Sequence, residues 1–138
     1  MSLTFLHYLA FSLGIGGGAA GMLAGRMAAR ADPELRPGLA RLQRRLGQIS
    51  ALSVLVLWVT GVWLIHAQYS GLAPLPWLFW PKIAAVVGLT VCAAWLQLLS
   101  LRAWRRGTPP PAPRMARLSM LANLFALLAL ALGVAAFA

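Results

Sequence analysis

The chain has 138 residues, of which 61% are hydrophobic and 10% charged, and its mean hydropathy is +0.79. A soluble domain carries roughly 25% charged residues, so a water-facing shell cannot be built from this composition, and lipid is the expected solvent for most side chains. The net charge of +10 would suit nucleic acid if it were spread over a surface, but all eleven arginines fall in two stretches with Trp104 as their one aromatic neighbour, which argues against such a partner.

The first apolar run covers about residues 3–24 and stops at Arg26. Nothing basic precedes it and arginines follow, the reverse of a signal peptide, so it reads as a retained helix whose N-terminus lies outside. Gly14, Gly18, Gly21 and Gly25 recur at spacings of four, three and four, and Gly17 adds a second step to Gly21. Such a stripe lets helix backbones approach closely in lipid. It can equally receive a partner protein, a second copy of the chain, or a flat ligand. His7 precedes Gly14 and Gly18 by seven and eleven residues, which puts it on the glycine face. An ionisable side chain at that depth is a functional candidate by default, the structural alternative being a neutral histidine hydrogen-bonded to a carbonyl, Thr or Ser.

The first connection holds Asp32, Pro33, Pro37 and Gly38, residues that break or cap helices. Residues 41–47 read as an extension of the second helix, whose apolar run is about residues 46–67. His66 stands at the outer end of that run. The outer connection, residues 68–77, contains Gly71, Pro74 and Pro76 and is flanked by Trp63, Tyr69, Trp77 and Trp80, an aromatic belt at headgroup level. The third run, about residues 79–101, carries Lys82 near its start. Cys92 within it is the only cysteine; with no CxxC or CxxCH, zinc ribbons and covalent c-type haem are excluded. A proline-rich turn at residues 107–113 leads to the fourth run, about residues 118–137. Gln97 and Asn123 lie at comparable depth in the last two runs and can hydrogen-bond across the bundle.

Each run is about 20 residues, the length that crosses a hydrocarbon core about 30 Å thick. Six arginines against Asp32 and Glu34 give the first basic stretch a net +4, and five unopposed arginines give the second +5. Basic residues confined to short loops mark the cytoplasmic side. The fold expected is an all-α, integral-membrane, antiparallel four-helix transmembrane bundle, a single domain over residues 1–138. Its expected location is a bacterial-type inner membrane, with both termini outside the cytoplasm. In that topology His7, His66 and Lys82 share one depth near the outer face. Two imidazoles and a cation can form a haem pocket, with His7 and His66 as metal ligands, or a copper site.

Several short patterns carry a resemblance. They are Leu6-His7 with Gly14, Arg44-Arg45-Leu46, Thr60-Gly61 with Trp63-Leu64, the segment 77–82, and Leu121-Ala122-Asn123. Together they resemble the small four-helix membrane proteins related to HemJ-type protoporphyrinogen oxidases and the copper-resistance CopD domain. The resemblance implies a b-type haem with His7 as axial ligand and Lys82 as a porphyrin or substrate contact. One turn before that lysine the family is expected to carry an arginine; here the residue is Leu78. A haem-binding redox protein, oxidase-like or not, is therefore the first functional expectation. The alternatives are a non-catalytic transmembrane subunit of a larger complex and a CopD-like copper-handling protein.

Overall fold

A computed structural model describes residues 2–70 and 75–137; for Tyr69 and Phe137 only the backbone is described. Gly71 and Pro74 of the outer connection, and the Tyr69 ring of the aromatic belt, thus lie outside the described residues. The described chain folds into four helices: α1 (Ser2–Arg30), α2 (Arg36–Tyr69), α3 (Phe79–Arg106) and α4 (Ala112–Phe137). All four are long and apolar enough to cross a membrane.

The helices overrun the apolar runs at their basic ends. Ten of the eleven arginines sit on helical turns of residues 26–45 and 102–106 or on the start of α4, and the eleventh, Arg36, is the first residue of α2. The arginine-rich stretches are thus mostly helix ends rather than loops. The physical reason is that hydropathy ends at the first charge but helix propensity does not, because arginine is among the better helix formers. The connections shrink accordingly. Between α1 and α2 the Asp32 carbonyl accepts the N–H groups of Leu35 and Arg36 at 3.0 and 3.1 Å, and Pro37 sits in the first turn of α2, where its missing N–H costs nothing.

Helix α3 stops at Gly107, whose φ of 63° is left-handed. There the Gly107 and Thr108 N–H groups donate to the carbonyls of Trp104 and Ala103, a Schellman-type end. A Cβ on Gly107 would meet nothing within 4 Å, so Gly107→Ala isolates backbone strain from crowding. The expected loss is about 1 kcal/mol, read as a lower midpoint in thermal unfolding of the detergent-solubilised protein.

Helix α1 packs along most of its length on α2, and α3 does so on α4; α1 touches α4, and α2 touches α3, over shorter stretches. The diagonal pairs do not meet among the described residues. The molecule is therefore two tight helix pairs joined along a looser seam. What it buries is mostly small: Ala10, Ala24, Ala85, Ala126 and Ala129 are nearly inaccessible, Gly17 and Gly21 are buried with them, and Phe79 and Val54 are the large exceptions. Leucines, valines and tryptophans face outward, Trp63, Trp77 and Trp80 being more than half exposed. In lipid there is no hydrophobic gain in hiding a leucine, and close backbone approach through small residues holds helices together instead.

Candidate functional site

The α1–α2 pair is set by its glycines. A Cβ on Gly17 would stand 3.3 Å from the Leu46 carbonyl oxygen, and one on Gly21 3.6 Å from the Leu46 Cβ. At the other end of the pair Gly61 faces the His7 ring. Hydrogen bonds then lock the register: Ser50 Oγ donates to the Gly14 carbonyl at 2.9 Å, and the His7 Nδ1 lies 2.7 Å from Thr60 Oγ1. His7 thus faces α2, on the face that Gly14 and Gly17 share.

The Thr60 contact decides the histidine's tautomer. Thr60 Oγ1 also lies 2.7 Å from the Val56 carbonyl oxygen. A carbonyl has no proton to offer, so the hydroxyl proton must lie on that line. The hydroxyl then has only lone pairs left for the ring, so His7 Nδ1–H is the donor. It follows that Nε2 carries the free lone pair, the arrangement in which an outer partner orients a ligating imidazole. The same device recurs, without ambiguity, between α2 and α3. Trp58 Nε1, which can only donate, reaches Thr90 Oγ1 at 2.9 Å, and that hydroxyl donates to the Val86 carbonyl at 2.7 Å. Thr60 is inaccessible and Thr90 half-buried.

Lys82 begins the second turn of α3 and is half-buried. The end of its side chain lies against Gly133 of α4, where a Cβ would come within 3.4 Å of both Cε and Nζ. Like His7, it lies at the end of the bundle away from the arginines. His66 faces elsewhere. It is exposed, and with Trp58, Val62 and Trp63 it lines a shallow groove on the outer face of α2 itself. The structure therefore brings His7 and Lys82 into one region and leaves His66 on another face. No group of three or more His, Cys, Asp or Glu side chains comes together among the described residues.

Two features were missed in the sequence. One is the Trp58–Thr90 contact; the partner of His7 was expected to be a Thr, Ser or carbonyl, and it is Thr60. The other is a cavity of about 630 Å³ in the seam between the two helix pairs, reaching from Phe11 and Leu57 to Arg41, Arg44 and Thr108 at the basic end. Gly14, Gly17, Gly18 and Gly21 form part of its wall. Gln97 and Asn123 both face it. Gln97 reaches across to α2, its Nε2 donating to the Gly47 carbonyl at 2.9 Å, and Asn123 Oδ1 lies over Gly18 of α1.

In comparisons with known proteins, no family model, no curated protein and no solved structure matches this chain.

Proposed function

We propose that the chain is a multi-pass membrane protein, an antiparallel four-helix bundle that binds a b-type haem through His7 and serves a redox role. The order of contacts between the helices supports the antiparallel reading: 7 meets 60, 14 meets 50, 17 meets 46, and 82 meets 133 while 88 meets 125. The gathering of arginines at one end supports a cytoplasmic position for that end, in a bacterial-type inner membrane, with both termini on the other side.

The Thr60 hydroxyl satisfies Nδ1–H as it would in a purely structural histidine, so the observation that carries the haem reading is what the His7–Thr60–Val56 relay leaves over. The relay fixes the ring and leaves Nε2 as a lone-pair donor, which is what an axial imidazole needs. Lys82 supports it by supplying a cation in the same region, suited to a porphyrin carboxylate. When bound, the haem would supply one-electron chemistry; the chain's own part is to hold His7 in one orientation and tautomer and to supply a positive charge. The copper reading is weaker, because His7 and His66 stand on different faces of the fold, and among the described residues neither belongs to a group of three His, Cys, Asp or Glu. The test is addition of haemin to the purified protein in mild detergent. A sharp Soret band saturating at one haem per chain is expected; a spectrum that matches haemin in detergent alone would refute the reading.

A further inference from the structure

The seam cavity opens at the end of the bundle away from His7 and Lys82 and runs inward to Phe11 and Leu57, and the haem reading makes no use of it. Its volume of about 630 Å³ falls within the roughly 300–1,000 Å³ of sites that enclose small molecules. Its deep end is apolar, walled by glycine and by Phe11, Leu57 and Ala126. Its mouth is cationic: Arg41 and Arg44 both line it. The Arg44 guanidinium stands 4.9 Å from the centre of the Trp104 ring, which holds that charge in place. Asp32 and Glu34, the only acids in the chain, are not among the lining residues. Positive charge at the rim, the Gln97 and Asn123 amides further in and an apolar deep end match one chemistry.

We infer that this cavity binds an anionic amphiphile, a phosphate ester carried on an apolar chain, with the phosphate between Arg41 and Arg44 and the chain in the seam. Basic pockets between transmembrane helices at the cytoplasmic side have this preference for acidic headgroups. Arginine offers the forked donor geometry that phosphate accepts. The ligand also explains the loose seam, since the two helix pairs would be joined there through it.

The test is native mass spectrometry of the purified full chain, titrated with decyl phosphate, a two-chain phosphatidylglycerol, decanol and inorganic phosphate. Decyl phosphate or phosphatidylglycerol is expected to bind at least about tenfold tighter than decanol or inorganic phosphate, the loss that follows from removing a charge-assisted contact. Whichever of the two binds tighter identifies the source, a single-chain phosphate or a membrane lipid, and either supports the inference. The double variant Arg41→Gln with Arg44→Gln should lose about tenfold or more. Ala93→Phe, which fills the seam, should weaken the chain-bearing ligands and leave inorganic phosphate unchanged. Equal binding of decanol and decyl phosphate overturns the inference, and so does inorganic phosphate binding as tightly as its decyl ester. Should the variants fail to fold, the wild-type discrimination between decyl phosphate and decanol decides alone.

Discussion

Gly17→Leu is expected to separate α1 from α2, while Gly16→Leu, one position away, is expected to be nearly silent. A Cβ at Gly17 would already stand 3.3 Å from the Leu46 carbonyl oxygen and 3.6 Å from the Ser50 N and Cβ. The nearest of those atoms belong to backbone, which cannot swing aside as a side chain does. Leucine adds three more carbons in the same direction, so the whole of α2 would have to move outward. That shift would also lengthen the bonds from Ser50 to Gly14 and from His7 to Thr60, which depend on the same helix spacing. Overpacking of a close-packed contact costs typically about 1–3 kcal/mol and occasionally more; this position belongs at the upper end. At Gly16 nothing lies within 4 Å, so a leucine there extends into lipid. Thermal unfolding followed by circular dichroism, with elution profile as a second reading, distinguishes the two. Equal destabilisation by both substitutions would contradict the packing assigned to α1.

Thr60→Val keeps the shape of the side chain and removes its oxygen. His7 Nδ1–H then loses its acceptor, and the Val56 carbonyl loses the hydroxyl but keeps its helical bond. A polar group left without a partner costs about 1–3 kcal/mol when buried; His7 is half-buried, so the lower part of that range applies. The larger consequence is expected in ligand binding. Groups that orient a ligating histidine are typically worth about 10- to 100-fold in metal affinity. Haemin titration of Thr60→Val should therefore show affinity reduced by at least about tenfold, with Thr60→Ser close to wild type because it retains the hydroxyl. If valine and serine behave alike, the hydroxyl does not orient the ring.

The four spans were legible because lipid-facing helices are apolar all round and the arginines punctuate them. Of their basic ends, the extension of the second helix over residues 41–47 was legible, but the turns from Arg26 to Arg30 and from Arg102 to Arg106 were not, since they continue a hydrogen-bonded ladder that hydropathy cannot see. The face of His7 was legible from the glycine period. Grouping His66 with it rested on depth alone, and depth does not fix angle. Thr60 and His66 are six residues apart, which at 3.6 residues per turn puts them roughly 120° apart around α2. Thr60 meets α1, so His66 points away from it. The Lys82 position against Gly133 and the seam cavity depend on how two helix pairs sit against each other. That arrangement follows from side chains that are absent, and absence at one position says nothing of which helix comes to fill it.

On the proposed function, His7 and not His66 presents the nitrogen that holds a haem. The visible spectrum of the haemin-loaded protein, compared among wild type, His7→Ala and His66→Ala, tests it most directly. A Soret band that is lost or shifted in His7→Ala and unchanged in His66→Ala is expected. A band that survives His7→Ala intact, or that disappears with His66→Ala, would contradict it.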